Sequence, residues 1–390
     1  MRAENVLVLT HWAPNLLVFR RRLLEKLLER GTRVTAAAPA SPDFPRDELR
    51  ALGIETAELP AGRNSLDPFA FRKTSEAIRA LVRDRRPDVV LSYSHQTNLL
   101  AGAALRGMEA PPRWIAVVTG MGRLFQPADD LKQTLLRALL SRALVRRYRA
   151  AAPAADRVLA LNPDDLAKIR SWSGELARKA ALLPRGEGVD LRRFRPDAEL
   201  RRAWRAERGY ADGDFVCAFV GRFMPEKGIG TFLDAAERDA ANRSNRKWLL
   251  AGDSALGGNR AVDERIERLR ASGAVARLPW QRDLLPLHNG IDLLLYPSIG
   301  EGLPIAPLEA MACGVPVLAL DADGTRELAK GETGCALIFS KAPAIWIDAI
   351  EELQQGDYAA KRERAVALAQ RYDADLAADD LLRFLDGEAE

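Results

Sequence analysis

Two carboxylates, Glu301 and Glu309, lie eight positions apart in the segment SIGEGLPIAPLEAMACGVPV, residues 298–317. Gly302 and Pro304 disfavour one continuous helix between them, so Glu301 is predicted in a loop and Glu309 inside a short helix. The free N–H groups at the start of such a helix attract an anion, and phosphate is the obvious one. A carboxylate a turn further in could accept hydrogen bonds from two hydroxyls of a sugar. The segment therefore predicts a site for a nucleotide-linked sugar.

A second segment, FVGRFMPEKGIGTF at residues 219–232, places two cations in one loop. Arg222 leaves the end of a predicted strand through Gly221, and Lys227 follows five residues later at the start of a helix. Two fixed cations can neutralise a diphosphate leaving group without a metal ion. Since both segments connect a strand to a helix, we expect them at the same edge of one sheet.

The elements that must position these residues follow an alternating pattern, in which short apolar runs separate helical stretches. Such alternation predicts parallel β-α-β units. In the first half a helix is expected over Leu16 to Arg30 and strands over 6–10, 33–39, 88–93 and 114–118. After a Pro-rich and Gly-rich linker near 184–196, strands are expected over 215–221, 247–252, 274–279, 292–297 and 315–320.

The predicted fold class is α/β, with two Rossmann-like domains whose parallel sheets face each other across a cleft. Residues 1–190 form the first domain, and residues 191–390 form the second together with the C-terminal helices. Ligands of open α/β sheets bind at the carboxyl ends of the strands, so the chemistry is expected in the cleft.

Composition narrows the class of protein. The chain has 390 residues, of which 47% are hydrophobic and 29% charged, as in a soluble globular protein. Its three cysteines match neither a disulfide framework nor a structural zinc site. The start lacks the pattern of a signal peptide and no stretch resembles a membrane-spanning helix, so a cytoplasmic location is expected.

Charge is distributed unevenly along the chain. Residues 1–190 carry 31 Lys and Arg and 21 Asp and Glu, a net charge of +10, which leaves −6 for residues 191–390 out of the total of +4. An anionic membrane surface or a phosphate-bearing substrate is therefore the expected partner of the first half. Nucleic acid is not expected, because no basic stretch is interleaved with stacking aromatic residues.

Two helical segments of the first half, residues 15–31 and 130–152, combine a stripe of leucines with clustered arginines. Such segments can lie on an anionic membrane, where each basic residue near the surface contributes about 1 kcal/mol. An ordinary domain helix with a solvated basic face explains the pattern as well. The first interpretation predicts a peripheral protein at the inner face of the cell membrane.

The residues of the second half resemble the motif of the retaining family-4 glycosyltransferases of the GT-B fold. That motif reads G-R-x4-K-G and then E-G-x6-E-A-x3-G-x-P-V. It is matched here by Gly221, Arg222, Lys227, Gly228, Glu301, Gly302, Glu309, Ala310, Gly314, Pro316 and Val317.

The resemblance implies a role for each matched residue. Arg222 and Lys227 would hold the donor diphosphate, Glu309 would bind the ribose, and Glu301 would lie beside the donor sugar. The residues implied to contact the rest of the nucleotide-sugar are Gly221, Gly302, Leu303 and Pro304.

Segments of the first half narrow the resemblance to one branch of the family. The segments are VVTGMGRLF (117–125), LNPDDLAKI (161–169) and LLPRGEGVDLRRFRP (182–196), with DGTREL (323–328) from the second half. They are similar to enzymes that extend sugars on polyprenyl-diphosphate carriers, including N-acetylhexosaminyltransferases that use UDP-sugars. The residues expected to contact the acceptor are Asn15, His95, Gly120, Met121 and Gly122.

The implied activity is transfer of a hexose or N-acetylhexosamine from a nucleotide-diphosphate sugar, with UDP as the expected nucleotide in this branch, to a lipid-linked or other glycan acceptor. This would be a step of cell-surface polysaccharide or glycan biosynthesis, with retained anomeric configuration and without a metal or cofactor. In the implied front-face displacement, the departing diphosphate oxygen takes the proton of the acceptor. A double displacement with Glu301 as the nucleophile is the alternative.

Other interpretations stay open at this point. Asp321 and Asp323 could hold a metal, although a turn at Gly324 explains them better. His95 and His11 could face the acceptor or be structural, and His288 is expected to serve packing. The whole chain could instead be a GT-B-fold sugar-nucleotide epimerase or a non-catalytic carbohydrate-binding scaffold.

Overall fold

Nearly continuous apolar runs form the strands, because strands of a parallel sheet are covered by helices on both faces. The structure, a computed structural model, describes residues 2–60, 67–126, 131–241, 245–254, 259–331 and 333–388. The strands are β1 (Asn5–Leu9), β2 (Arg33–Pro39), β3 (Glu55–Leu59), β4 (Val89–Tyr93), β5 (Arg113–Val118), β6 (Arg157–Ala160), β7 (Ala180–Leu182), β8 (Phe215–Val220), β9 (Arg246–Ala251), β10 (Ala276–Leu278), β11 (Leu293–Tyr296), β12 (Val317–Leu320) and β13 (Cys335–Ile338).

Helices connect successive strands, and three more follow the last strand. They are α1 (Asn15–Val18), α2 (Arg21–Glu29), α3 (Arg46–Ala51), α4 (Pro68–Arg85), α5 (His95–Leu105), α6 (Leu131–Ala151), α7 (Pro163–Trp172), α8 (Gly174–Lys179), α9 (Ala198–Glu207), α10 (Ile229–Ala241), α11 (Arg260–Ala271), α12 (Leu285–Gly290), α13 (Ile305–Ala312), α14 (Pro343–Gln355), α15 (Tyr358–Gln370) and α16 (Ala374–Asp386). None of the described helices is long and apolar enough to span a bilayer.

The strands form two separate sheets. One has seven strands in the order β3-β2-β1-β4-β5-β6-β7, and the other has six in the order β10-β9-β8-β11-β12-β13. Neighbouring strands run parallel, as β1 does beside both β2 and β4. In each sheet the order reverses beside the first strand, at β1/β4 and at β8/β11, which is the place where open α/β sheets bind ligands. The predicted α/β class with two Rossmann-like sheets is confirmed.

The chain divides into two compact units, one made of Met1–Gly188 with Ala374–Glu390 and the other of Val189–Asp373. The first division lies within two residues of the predicted boundary at 190. The C-terminal helix differs from the prediction, because α16 belongs to the first unit and not to the second. Apolar burial explains this, since α16 packs against α2 and buries Leu381 and Leu385.

The first helical segment also departs from the predicted pattern. The helix expected over Leu16 to Arg30 is two helices, α1 and α2, which are separated at residues 19–20. Arg20 is buried at this break, where it pairs with Glu187 at 2.5 Å and stacks 3.7 Å from the ring centre of Tyr93. A buried charge requires such partners, and the break lets the chain supply them.

Candidate active site

The loop after β8 presents the two cations that the sequence predicted. Gly221, with a φ of 148°, ends the strand, and Arg222 follows it as an exposed residue. Within the described part of the chain, the guanidinium of Arg222 has no ion-pair partner. A short 3-10 turn over Pro225–Lys227 leads to Gly228, which has a left-handed φ of 76° and immediately precedes α10. Arg222 is thus available to an anion.

Lys227 and Glu301 are brought together from loops 74 positions apart. The Nζ atom of Lys227 lies 2.5 Å from Oε1 of Glu301. The hydroxyl of Tyr296 donates to the same oxygen at 2.7 Å, and that of Ser298 donates at 2.5 Å. Three donors from two βα connections therefore converge on one carboxylate.

The electrostatics of this cluster favour a charged Glu301. Burial would raise the pKa of the Glu301 carboxyl, but the Lys227 charge and the hydrogen bonds from Lys227, Ser298 and Tyr296 outweigh it and lower the pKa. Burial together with the Glu301 charge raises the pKa of Tyr296 well above its ordinary value. Glu301 is therefore an ionised hydrogen-bond acceptor at neutral pH, and Tyr296 is a neutral donor.

Glycines let the loops of this site approach one another closely. A side chain at Gly228 would collide with the backbone of Pro297, and one at Gly324 would collide with the backbone of Glu301 and Gly302. Gly228 and Gly324 also have positive φ angles, of 76° and 79°, which L side chains rarely adopt. Glycine is thus required twice over at both positions.

Glu309 lies on α13, as the sequence predicted. The helix begins at Ile305, after Pro304 at its N-cap, so Gly302 and Leu303 immediately precede its free N–H groups. The Oε2 atom of Glu309 lies 3.7 Å from Nε2 of His288, which is fully buried on α12. His288, expected to serve packing, contacts the ring of Phe194 edge-on.

Asp321 and Asp323 follow β12 and both pair with Arg326, at 2.6 and 3.3 Å. The carbonyl oxygen of Asp323 accepts a hydrogen bond from the backbone N–H of Glu301 at 3.0 Å. This arrangement is the turn that the sequence favoured over a metal site. Across the described ranges, no group of three or more His, Cys, Asp and Glu side chains could hold a metal ion.

The residues predicted to contact the acceptor lie in the first unit. Asn15 begins α1 and is buried, and its carbonyl oxygen accepts a bond from Arg20 at 3.1 Å. Gly120, Met121 and Gly122 form the loop after β5, which we call the glycine loop. Gly120 and Gly122 have φ angles of 131° and 70°.

His95 begins α5, and both of its ring nitrogens have protein partners. Nδ1 lies 2.9 Å from the hydroxyl of Tyr148, and Nε2 lies 3.2 Å from the carbonyl oxygen of Met121. Burial lowers the pKa of His95 to about 4, against a smaller opposite effect of the Met121 and Gly120 carbonyls. The structure thus joins His95 to the glycine loop, and direct contact of these residues with an acceptor stays a prediction.

Three residues that contact Glu301 or His95 were not predicted from the sequence. Tyr296 and Ser298 could have been found as polar residues directly at the end of the apolar strand β11, where site residues of α/β sheets gather. Tyr148 carried no such signal, because it lies within the helix α6 and does not follow the end of a strand. Its partner is 53 positions away in the sequence.

Two family models match this chain. Residues 214–355 match the model described as glycosyl transferases group 1, and residues 18–186 match the glycosyl transferase 4-like domain. The matches include both segments from which the donor site was predicted.

Two named proteins are similar in sequence to this chain, one over most of its length and one over about half. An N,N'-diacetylbacillosaminyl-diphospho-undecaprenol alpha-1,3-N-acetylgalactosaminyltransferase of Campylobacter jejuni is 24% identical over 324 residues, which cover 82% of this chain and 81% of that protein. A D-inositol 3-phosphate glycosyltransferase of Nocardia farcinica is 34% identical over 207 residues, 51% of this chain and 45% of that protein.

Among solved structures, HepE of Anabaena in complex with UDP and glucose superimposes with a TM-score of 0.79 at 18% identity. The match covers 98% of this chain and 99% of that chain. The predicted GT-B fold is confirmed by this likeness and by the two parallel sheets.

Proposed function

The chain belongs to the group 1 glycosyl transferases with a 4-like N-terminal domain, and from this premise we propose that it transfers a hexose or N-acetylhexosamine from a UDP-sugar to a lipid-linked or other glycan acceptor. The anomeric configuration is retained and no metal takes part. The observation that carries the donor assignment is the cluster of Lys227 with Glu301, Tyr296 and Ser298 beside the exposed Arg222.

The chemistry required of this cluster is the departure of a nucleoside diphosphate. As the bond from the sugar to the diphosphate breaks, negative charge grows on the leaving oxygens, and the cations Arg222 and Lys227 neutralise it. The acceptor hydroxyl attacks the same face of the sugar and gives its proton to the departing oxygen. Protein residues then need not supply a base.

Glu301 fits this front-face displacement better than a double displacement. A nucleophilic carboxylate must give electron density to the anomeric carbon. Lys227, Tyr296 and Ser298 all donate to Oε1 of Glu301, and this stabilisation with the lowered pKa makes the carboxylate a weaker nucleophile. Its role in the proposal is to hold Lys227 in the donor site.

Two similar proteins support the choice of substrates. HepE was solved with UDP, which favours a UDP-linked donor. The Campylobacter relative acts on an undecaprenol-diphosphate-linked sugar, which favours a polyprenyl-diphosphate-linked acceptor. Such an acceptor would place this enzyme at the inner face of the cell membrane, in polysaccharide or lipid-linked oligosaccharide synthesis.

The surface of α6 supports the membrane location. Five leucines on the exposed side of this helix are 42 to 75% exposed, and they are Leu131, Leu135, Leu136, Leu139 and Leu140. Helical periodicity places Arg142, Arg146 and Arg149 on the same exposed side, nearer the C-terminal end. Apolar residues that enter a bilayer beside basic residues that contact headgroups suit an anionic lipid surface. Asp130, where the predicted segment begins, lies outside the described residues.

The donor assignment is tested by thermal stabilisation with UDP, GDP, ADP, dTDP and CDP, with and without EDTA. UDP is expected to raise the melting temperature of the wild type, and EDTA to leave that shift unchanged. Arg222→Ala should lose most of the shift, because its guanidinium meets the diphosphate. A shift with another base, or one that EDTA abolishes, contradicts the proposal.

The reaction is tested by turnover of UDP-sugars with a synthetic polyprenyl-diphosphate-linked N-acetylhexosamine. Lys227→Ala should lose at least about a hundredfold in turnover while it stays folded, because Lys227 stabilises leaving-group charge. Conversion of the UDP-sugar without an acceptor would favour the epimerase. UDP binding without any turnover would favour a non-catalytic scaffold.

Membrane contact is tested by flotation with phosphatidylcholine vesicles that contain or lack phosphatidylglycerol. The double variant Leu135→Ser, Leu139→Ser should lose binding to the anionic vesicles. Phe339→Ser is the control, because Phe339 is 79% exposed but lies in the other unit. Equal binding of both variants would contradict the role of α6.

A further inference from the structure

The junction between β4 and α5 is strained at Ser94. This residue has a φ of 77° and a ψ of 157°, a region that residues other than glycine rarely adopt. Its N–H donates to the carbonyl of Val117 at 3.0 Å, and its carbonyl accepts from the N–H of Asn98 at 2.9 Å. Bonds on both sides thus hold the unfavourable conformation directly before His95.

The protonation of His95 follows from its two partners. The carbonyl oxygen of Met121 can only accept, so Nε2 carries the proton and donates to it. Nδ1 then accepts from the hydroxyl of Tyr148. Neither nitrogen is left for an incoming hydroxyl in this arrangement, which argues against His95 as a base.

The hydrogen-bond chain continues from Tyr148 into the core of the first unit. The hydroxyl of Tyr148 accepts from Nδ2 of Asn98 at 3.2 Å. Oδ1 of Asn98 accepts from the hydroxyl of Ser92 at 2.7 Å, and that hydroxyl accepts from the indole N–H of Trp114 at 2.8 Å. Each donor has one acceptor along the chain, and a fully satisfied buried network of this kind fixes a single arrangement.

The glycine loop is the part that this network holds. Gly120 and Gly122 have no side chains with which to fix the loop, and the absence of a Cβ is what permits their positive φ angles. The carbonyl of Met121 between them is bound by His95. His95 therefore connects the backbone of the glycine loop to the buried hydrogen-bond network.

We propose that His95 and Tyr148 are positioning residues, which hold the glycine loop in the conformation that binds the acceptor. The inference rests on the proposed function for the identity of the acceptor, but not for the connection between Tyr148 and the loop. The acceptor chemistry is that of a diphosphate-linked sugar, to which the N–H groups of a glycine loop can donate.

A first experiment measures the connection without any acceptor. The chain has five methionines and three histidines, so isotope labelling of these residues gives few NMR signals. The proton of His95 is expected on Nε2. Tyr148→Phe, which removes only a hydroxyl, should shift the resonances of His95 and Met121.

The control for a merely structural effect is Tyr358→Phe. This variant also removes one tyrosine hydroxyl, which donates to the carbonyl of Asp292 at 2.7 Å. Both residues lie in the other unit. Tyr358→Phe should leave the NMR resonances of Met121 and His95 unchanged. Unchanged Met121 resonances in Tyr148→Phe overturn the proposal, whether or not an acceptor is turned over.

A second experiment separates the two substrates by kinetics. With the polyprenyl-diphosphate-linked N-acetylhexosamine as acceptor, Tyr148→Phe should raise KM for the acceptor roughly tenfold, the effect of one lost hydrogen bond. KM for the UDP-sugar and the melting shift with UDP should not change. An equal rise in both KM values overturns the proposal. A wild type that ignores this acceptor contradicts the proposed function, while the NMR result still decides the positioning role.

Discussion

At the scale of single residues, Lys227 is bound to a carboxylate before any donor arrives. Its ammonium lies 2.5 Å from Glu301, and a nucleoside diphosphate would need the same ammonium. The diphosphate must therefore compete with Glu301 or share Lys227 with it. Competition of this kind would weaken ground-state binding of UDP and would help the product to leave.

Glu301→Gln tests this competition. Glutamine keeps the size of the side chain and can still accept from Tyr296 and Ser298, but it lacks the charge that attracts Lys227. UDP should bind roughly tenfold more tightly, which corresponds to about 1.4 kcal/mol, and turnover should fall. Isothermal titration with UDP measures the first effect and an acceptor assay the second.

The control for this change is Glu237→Gln, which alters net charge equally on α10, where Glu237 pairs with Arg265. UDP affinity should be unchanged in that variant. Weaker UDP binding by Glu301→Gln would show that Glu301 supports the diphosphate site without competing for it.

His95 gives a second prediction at this scale, for stability against pH. Its pKa is lowered from 6.5 to about 4 in the folded state, chiefly by burial. The unfolded chain binds a proton first as pH falls, so this contribution to stability is present above pH 6.5 and is lost between pH 6.5 and 4. As pH falls from about 6.5 to 5, this titration should lower the free energy of unfolding by roughly 2 kcal/mol.

Urea unfolding of the wild type and His95→Gln over this pH range measures the effect. The free energy of unfolding should fall more steeply in the wild type, since the variant lacks the titrating ring. Parallel pH curves would show that the ring of His95 is not held neutral in the folded protein.

At the scale of elements, the proposed donor site includes a close contact between two loops. The turn at Gly324 packs against the backbone of Glu301 and Gly302, and the N–H of Glu301 is held by the carbonyl of Asp323. The loop after β12 therefore supports the loop that carries Glu301. A substitution in the loop after β12 should therefore change the affinity for the donor.

Gly324→Ala should weaken UDP binding and lower the melting temperature, because a Cβ there meets backbone that cannot rotate away. Gly331→Ala is the matched control, since Gly331 has a similar φ of +85° but open space around it. Both variants bear the strain of a positive φ, about 1 kcal/mol. Equal effects of the two on UDP binding would refute the supporting role of the Gly324 turn.

At the scale of the whole molecule, the end of the chain stabilises its beginning. The face of α16 that packs on α2 includes Leu385, which is fully buried, and Arg30 pairs with Asp386 at 2.8 Å. Arg113 also donates to the carbonyl of Leu385 at 2.8 Å. The first unit is therefore complete only when the chain has passed through the second.

Leu385→Ala should lower the stability of the first unit by about 2 to 5 kcal/mol, the cost of emptying a buried leucine site. Leu376→Ala on the same helix is the control and should cost much less, since Leu376 is 45% exposed. Calorimetry with and without UDP separates the units, because UDP should stabilise only the second. If Leu385→Ala destabilises only the unit whose melting transition UDP shifts, the assignment of α16 to the first unit is contradicted.

The sequence alone predicted the fold class, which the structure confirms, and the residues of the proposed donor site, because both predictions depend on local patterns. Apolar alternation predicted parallel β-α-β units, and the spacings of Arg222 to Lys227 and of Glu301 to Glu309 place those residues in strand-to-helix loops. Strands β3, β6, β7 and β13 were not predicted. Two of them give a weak apolar signal, because β3 (Glu55–Leu59) contains polar residues and β7 (Ala180–Leu182) has only three residues.

Tertiary structure alone decided which side chains meet. Tyr296 and Ser298 act on Glu301, Tyr148 acts on His95, and α16 returns to the first unit, across separations that no local pattern encodes. The physical reason is that buried polar groups must find partners and apolar faces must find cover. Many distant residues could satisfy either need, and only the folded packing selects one.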